Sequence, residues 1–418
     1  MSFSDVDICS VIRSQFLASP PSRLGVAVSG GSDSLALLHS LSRCFAQGSV
    51  ALHAVTVDHG LRPEAAQEAA QVAAFADSLG LPHTTLQWDG WNGQGNLQAC
   101  ARDARYRLIG EWARANKIAS VATGHTADDQ AETVVMRLAR SSGVNGLSAM
   151  SVRRTLHGVS IVRPMLGLTR KDLRAYLRRQ GISWTDDPSN DDLRFERIQV
   201  RQALEHLDKL GVSVSRLAEV AGNMGEAREA LDWYTFVTAR DIACVKGGDV
   251  VVDLRRFRTL PREIARRLIL NAVRWIGRAD YPPRRSAMGE AIDAIRRGRG
   301  TTLGGCRIVV SGTSIWICRE FAAARAERAQ PGQLWDGRWT LFGPVDQGGL
   351  HIAALGQRGL ETVPDWRDTG VPSVALLASP GVWQGDELVA APLAGWSNGW
   401  RADLHESAEA FFAALLSN

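Results

Sequence analysis

Cysteine is scarce in this 418-residue chain, and lysine is scarcer still. The six cysteines, Cys9, Cys44, Cys100, Cys244, Cys306 and Cys318, are scattered and form no C-x-x-C pair. Their spacing argues against a zinc knuckle, an iron–sulfur cluster or a disulfide framework. No apolar run approaches the roughly 18 residues that a bilayer span needs. The first twenty residues mix Asp5, Asp7 and Arg13 with apolar residues and lack the apolar segment of a signal peptide. The expectation is a cytoplasmic protein with no membrane partner. A large excess of one charge is missing too, for the net charge is +4. Among the basic residues only Lys117, Lys171, Lys209 and Lys246 are lysine, and the rest are arginine. Genome composition can produce that bias, but arginine is also the better bidentate partner for phosphate.

What is present is the composition of a soluble globular protein, 45% hydrophobic and 22% charged. The length exceeds one ordinary core, so two or three domains are expected. Up to about residue 145, short apolar runs at 24–28, 51–57, 83–87 and 118–123 alternate with alanine-rich helical patterns at 34–46, 63–79 and 96–115. Another helical pattern follows at 127–139. Alternation of this kind predicts a doubly wound, mostly parallel α/β sheet, with ligands bound beyond the carboxyl ends of its strands. A further strand is expected at Ile161–Arg163, then a helix from near Thr169, a polar turn and another helix. Residues 215–300 look mainly helical and rich in arginine, and Gly, Trp and short β-like runs dominate after 301. The expected division is a catalytic domain at 1–215, a mainly helical domain at 216–328 and a smaller mixed α/β domain, rich in β, at 329–418.

The first strand breaks into Ser29-Gly30-Gly31-Ser32-Asp33-Ser34 before a helical pattern resumes. A glycine-rich turn at that place exposes backbone N–H groups at the positive end of a helix dipole, which suits an anion. Gly30 and Gly31 let the backbone come close to phosphate, and the hydroxyls of Ser29, Ser32 and Ser34 can donate to it. The Asp33 charge repels phosphate directly, so a carboxylate there makes sense if Mg²⁺ bridges the two. A plain helix-capping turn is the simpler alternative. The loop lacks the lysine of the GxxxxGK[ST] type. The full string S-G-G-x-D-S between strand and helix instead resembles the loop of the PP-loop, or N-type, ATP pyrophosphatases. That resemblance implies a loop holding the pyrophosphate part of ATP while a substrate oxygen attacks the α-phosphorus.

Further motifs follow in order. In "TGHTADDQAET" (123–133) a helix places Asp129, Glu132 and Thr133 on one face, with Asp128 near Glu132. Carboxylates crowded at a helix start repel one another unless a cation sits among them, or else they complement the helix dipole. "VDHGLR" (57–62) ends the second strand, where a nucleotide base would lie. "RDARYR" (102–107) puts Arg102 and Arg105 on one helix face. "DDPSNDDLRFERIQVR" (186–201) delivers Arg194, Arg197 and Arg201 after a polar turn, a clamp suited to phosphate.

Taken in order, these pieces resemble the bacterial tRNA(Ile)-lysidine synthases. The likeness runs almost continuously through the N-terminal half and returns in "RGRGTTLGGCRI" and "VPSVALLASPGVWQGDELVAAP". One departure is visible, for Ile198 stands where the family usually has asparagine. The resemblance implies that ATP, with Mg²⁺ on Asp33, adenylates the 2-oxo group of the wobble cytidine in tRNA(Ile) with an unmodified CAU anticodon. The ε-amine of L-lysine then displaces AMP. It implies that residues 29–34 and Arg197 carry phosphate charge and that Arg105 contacts ATP or the activated base. Asp129 and Glu132 would meet the lysine ammonium, with His125 and Arg201 on the substrate side. The arginine-rich stretches 253–269 and 296–300 then become a tRNA-backbone surface, while Trp335, Trp339, Trp366 and Trp383 are expected in a core. Whether the chain forms a homodimer stays open.

Three other readings share parts of this pattern. A PP-loop tRNA 2-thiocytidine synthase adenylates the same oxygen but commonly needs the C-x-x-C pair that is missing here. An amide-forming PP-loop ligase would leave the arginine-rich half unexplained. A non-catalytic ATP-holding RNA-binding protein would leave Asp33 and the acidic 128–132 cluster without purpose.

Overall fold

The computed structural model describes residues 4–16, 20–45, 48, 50–60, 65–88, 90–91, 97–185, 196–278, 281–344 and 348–416. Leu61–Arg62 of the H-G-L-R motif and Asp186–Arg194 of the polar turn lie outside them. The chain divides into two compact units, Met1–Arg228 and Glu229–Asn418.

In the first unit the order is α1 (Asp5–Ser14), β1 (Arg23–Ala27), α2 (Ser32–Cys44), β2 (Ala51–Asp58), α3 (Ala65–Ser78) and β3 (His83–Gln87). Then come α4 (Leu97–Ala115), β4 (Ser120–Thr123), α5 (Ala127–Ala139), α6 (Val144–Leu147), β5 (Arg153–Leu156), β6 (Val159–Val162), α7 (Arg170–Arg179) and α8 (Glu196–Lys209). The sheet has the strand order β3-β2-β1-β4-β6-β5. All neighbours pair in parallel except β5, which returns antiparallel along β6 at the edge. The expected doubly wound α/β sheet is therefore present, with β5 as an unforeseen addition. Its hairpin turns on His157 and Gly158, both at positive φ, the backbone of a tight two-residue turn.

Each face of the sheet has its own core. On one, the leucines spaced along α2 (Leu37, Leu38, Leu41) meet Ile8 and Ile12 of α1 and Leu173, Tyr176 and Leu177 of α7. On the other, Tyr106, Ile109 and Trp112 of α4 cover Val55, Val121 and Ile161. Gly25 of β1 is small for this reason. A Cβ there would lie 2.9 Å from Val121 Cγ2 and 3.0 Å from the Trp112 ring. The central strands are thus buried on both sides, as continuous apolar runs in parallel sheets should be. In register, Ala27 at the end of β1 sits beside Val55 of β2 and Thr123 of β4. The chain leaves β1 toward β2 on one side and later returns as β4 on the other. That reversal opens a crevice at the carboxyl ends of β1 and β4.

The long helix α9 (Val214–Ile242) runs across the boundary between the units at 228/229. The second unit continues with β7 (Ala243–Lys246), β8 (Asp249–Asp253), α10 (Leu254–Thr259), α11 (Arg262–Gly277), α12 (Arg285–Arg296), β9 (Thr301–Leu303), β10 (Cys306–Ser311) and β11 (Ser314–Arg319). These strands form an antiparallel sheet in the order β7-β8-β11-β10-β9. The β7–β8 hairpin interrupts a stretch expected to be mainly helical, and it too turns on two residues at positive φ, Gly247 and Gly248. Phe257, Leu268, Ile269, Ile308 and Ile317 build the core beneath this sheet, and Phe411 and Phe412 of the last helix, Ala408–Ala414, join it. Residues after 329 also make two three-stranded antiparallel sheets. Trp335, Trp339 and Trp383 are buried there and Trp366 packs against the neighbouring cluster, as expected of core residues. Among the described residues no helix is long and apolar enough to cross a membrane.

Candidate active site

A cavity of 1030 Å³ occupies the crevice, at the upper end of the range for small-molecule sites. Residues 29–34 form its floor. Gly30 has φ 85°, a left-handed conformation that favours glycine. Ser34 ties the loop together, because its hydroxyl accepts from the Ser29 amide at 3.1 Å and donates to the Gly31 carbonyl at 3.0 Å. Gly31 is the N-cap of α2, and no side chain caps that helix. The first N–H groups of a 13-residue helix thus start at the cavity without a side-chain acceptor, an arrangement suited to an anion.

Gly124, just after β4, lines the cavity and packs against this loop. A Cβ there would lie 3.1 Å from the backbone of Asp33 and Ser34. Neither can yield without moving the loop. Gly124→Ala is expected to weaken ATP binding by roughly tenfold, the lower end of overpacking costs. Titration calorimetry with ATP checks this, and unchanged affinity would show that contact with Gly124 does not set the loop position.

Asp33 stands in the first turn of α2. Its Oδ2 accepts from Arg170 Nε at 3.0 Å and its Oδ1 from the Ser32 hydroxyl at 3.1 Å. Burial raises its pKa above the usual carboxylate value, against the pull of Arg170. Burial opposes the Arg170 charge, but Asp33 leads the neighbouring acids in holding that guanidinium above its ordinary pKa. One turn further along α7, Arg174 donates from Nε to Ser32 Oγ at 3.3 Å.

The other walls carry the remaining expected residues. Arg105, from α4, donates to His59 Nε2 at 3.1 Å and 3.3 Å. Burial, then the Arg105 charge, pushes His59 down to about 4. The imidazole is therefore neutral near pH 7 and accepts through Nε2. His125 pairs through Nδ1 with Thr123 Oγ1 at 2.9 Å, and burial pushes it to about 4 as well. Asp129 accepts from the Thr126 amide at 2.9 Å and the Thr126 hydroxyl at 3.1 Å, closing a capping box at the start of α5. Burial would raise its pKa, but His125, the Thr126 amide and nearby arginines together hold it below the usual range.

The acidic cluster is thus answered group by group. Asp128 accepts from the Arg170 backbone amide at 2.7 Å. Glu132 is fully buried and accepts from Arg201 Nε at 2.6 Å, with Arg197 Nε at 3.6 Å from its other oxygen. Residues 29–34, Arg105, His125, Asp129 and Arg201 all line the cavity, whereas Glu132 and Arg197 do not. Glu132, expected to meet a lysine ammonium, already meets arginine in a buried pair. Arg197 and Arg201, expected as a phosphate clamp, are directed at Glu132. The residues beside the phosphate loop that the motifs did not single out are Arg170 and Arg174. Their signal was available as two arginines four apart on one face of a helix.

This fold and loop define a PP-loop protein, and the PP-loop domain family matches residues 7–207. Over 412 residues the chain is 57% identical to a curated tRNA(Ile)-lysidine synthase of Ruegeria pomeroyi, covering 99% of this chain and 98% of that one. A protein of the same name in Wolbachia pipientis is 34% identical over 383 residues, 88% of each chain. Another in Zymomonas mobilis is 39% identical over 306 residues, covering 72% of this chain and 89% of that one. The chain belongs to the tRNA(Ile)-lysidine synthase family.

Proposed function

We propose that the protein ligates L-lysine to the wobble cytidine of tRNA(Ile) bearing an unmodified CAU anticodon. The cytidine 2-oxygen attacks the α-phosphorus of ATP and pyrophosphate leaves. The lysine ε-amine then attacks the same ring carbon, loses a proton, and AMP departs with the oxygen. The observation that carries this reading is the shared cavity, in which the uncapped start of α2 and the Asp129 carboxylate face one space. An anion-binding end and a cation-binding end suit a reaction that brings a triphosphate and an amine to one ring. Membership of the lysidine synthase family supports it.

The residues divide the work by charge. Loop amides at the uncapped start of α2 hold phosphate oxygens and stabilise the charge that develops as pyrophosphate leaves. Arg105, braced by neutral His59, reaches the nucleotide or the activated base. Asp129 attracts and orients the ammonium. Held below its usual pKa, it is a better anchor than proton acceptor. His125, neutral and paired with Thr123, adds no competing cation there.

Among the described residues no group of three His, Cys, Asp or Glu could hold a metal. The loop's one carboxylate, Asp33, does fit Mg²⁺ of the kind completed by phosphate oxygens and water. When bound there, such an ion would neutralise phosphate charge.

In the second unit Arg256, Arg262 and Arg266 pair with Asp241, Asp293 and Glu263, and buried Arg267 pairs with Asp232. Of these only Arg267, with its side chain 3% exposed, is committed to the fold. Arg255, Arg258, Arg297 and Arg299 are exposed, and α10 meets the end of α12 where Arg258 Nε donates to the Arg296 carbonyl at 2.9 Å. That corner suits the tRNA backbone. ATP, lysine and tRNA are cytoplasmic substrates, and we place the protein there.

The test is incubation with ATP, Mg²⁺, labelled lysine and unmodified tRNA(Ile) transcript. Label in the RNA, with AMP and pyrophosphate released, is the expected result. Absence of lysine transfer would refute the reading, and sulfur transfer in its place would establish the 2-thiocytidine alternative.

A further inference from the structure

We infer that Arg170 and Arg174 of α7 form the cationic wall of the pyrophosphate subsite, with Arg170 exchanging Asp33 for phosphate when nucleotide binds. The inference rests on the ligase reading for its nucleotide and adds residues to it.

Both arginines line the cavity beside the loop, one turn apart on a single helix face. Each touches a residue of the loop itself. Arg170 Nε lies 3.0 Å from Asp33 Oδ2, and Arg174 Nε lies 3.3 Å from Ser32 Oγ. The contacts are held by a rigid element. Leu173, Tyr176 and Leu177 bury the opposite face of α7 completely. Tyr176 Oη pairs with His39 Nδ1 of α2 at 2.7 Å, fixing α7 to the helix that begins at the loop. At its start α7 is capped by Thr169, and the Arg170 amide donates to Asp128. Arg174 also stacks over Trp184, 5.5 Å from the ring centroid.

The charge balance points the same way. A pyrophosphate group entering the loop meets the Asp33 carboxylate, which repels it. Arginine is the residue suited to a group of this shape, with five donors in a planar fork. Of the α8 arginines, Arg201 lines the cavity but donates to buried Glu132, and Arg197 lies by the same carboxylate, whereas Arg170 and Arg174 touch the loop itself. Arg170 engages Asp33 through Nε, so a modest rotation brings its fork onto phosphate oxygens. The Asp33 carboxylate is then free of its ion pair.

Calorimetric titration of the full chain with inorganic pyrophosphate, and separately with AMP, tests the wall without lysine or tRNA. Arg174→Ala and Arg170→Ala should each weaken pyrophosphate at least about tenfold, the size expected for charge-assisted hydrogen bonds. AMP, lacking the β- and γ-phosphates, should change less than about twofold on the same grounds. Arg174→Lys, which keeps charge and stem but not the fork, should fall between wild type and Arg174→Ala. Pyrophosphate affinity within twofold of wild type in both alanine variants overturns the inference. Equal loss for pyrophosphate and AMP also overturns it, by showing that the arginines only shape the loop. Failure of lysine transfer by the wild type, with the pyrophosphate effect intact, would refute the ligase reading and leave this wall standing.

Discussion

Asp33→Asn is expected to separate nucleotide binding from turnover. Lysine transfer should fall by about 10²- to 10³-fold, the usual loss when one charge-stabilising group is removed from a reacting centre. Affinity for ATP without divalent cation should rise several-fold. Asparagine keeps the shape of the side chain and can still accept from the Ser32 hydroxyl, now 3.1 Å from Oδ1. What disappears is a negative charge at the start of α2, in a wall where the Asp33 side chain is only 18% exposed. Two unit charges about 4 Å apart at a protein surface interact by about 4 kcal/mol before screening. Removing that repulsion favours a bare triphosphate, and it also leaves Arg170 without its partner carboxylate and available to phosphate. Titration of ATP in chelator and single-turnover lysine transfer measure the two effects. If the variant binds bare ATP no better than wild type, Asp33 does not face the phosphates. If it turns over normally, the loop's carboxylate has no part in the reaction.

The architecture of the first unit was legible because its evidence is local. Leu24 to Val28 is an apolar run, the leucines of α2 recur at helical spacing, and Gly30-Gly31 separate the two. The two hairpins that escaped notice, β5–β6 and β7–β8, contain strands that carry little apolar signal. Arg153, Arg154 and Thr155 are exposed at the sheet edge, and β7 alternates half-buried and exposed residues. Their turns, His157-Gly158 and Gly247-Gly248, were the only marks, and short turn pairs are common in loops.

The site divides in the same way. Residues 29–34, Arg105, His125 and Asp129 could be chosen from motifs that each lie within a few positions of one another. The partners that decide what those residues can do come from far along the chain. Arg170 meets Asp33 across 137 positions, and Arg201 meets Glu132 across 69. Crowding at 128–132 implied a cation or a helix cap, and the structure shows Arg201 at Glu132 and a capping box at Asp129, neither of which local spacing distinguishes. In the second unit 35 positions separate Arg267 from Asp232. An arginine-rich run gives no sign of which members have carboxylates waiting in the fold.

Glu132 offers the sharpest test of that distinction. Arg201→Ala should destabilise the first unit by about 3–5 kcal/mol, the cost of removing one partner from a buried ion pair. Glu132 would keep only Arg197, 3.6 Å away with its side chain 41% exposed. A loss of that size should lower the melting temperature by roughly 10 °C in a unit of about 200 residues. The pH dependence has a definite sign. Burial already raises the Glu132 pKa above the usual carboxylate value, while Arg201 opposes the rise. Deleting Arg201 raises the folded-state pKa further. A raised carboxylate contributes stability that is present below the unfolded value and lost as pH climbs through the folded one. The variant's deficit should therefore be larger at pH 8 than at pH 5. Adding Glu132→Gln to Arg201→Ala removes the stranded charge and should recover part of the loss at pH 8. Thermal unfolding of wild type, both single variants and the double variant at the two pH values closes the cycle. A deficit independent of pH, or a double variant no more stable than Arg201→Ala, would mean that Glu132 does not depend on Arg201.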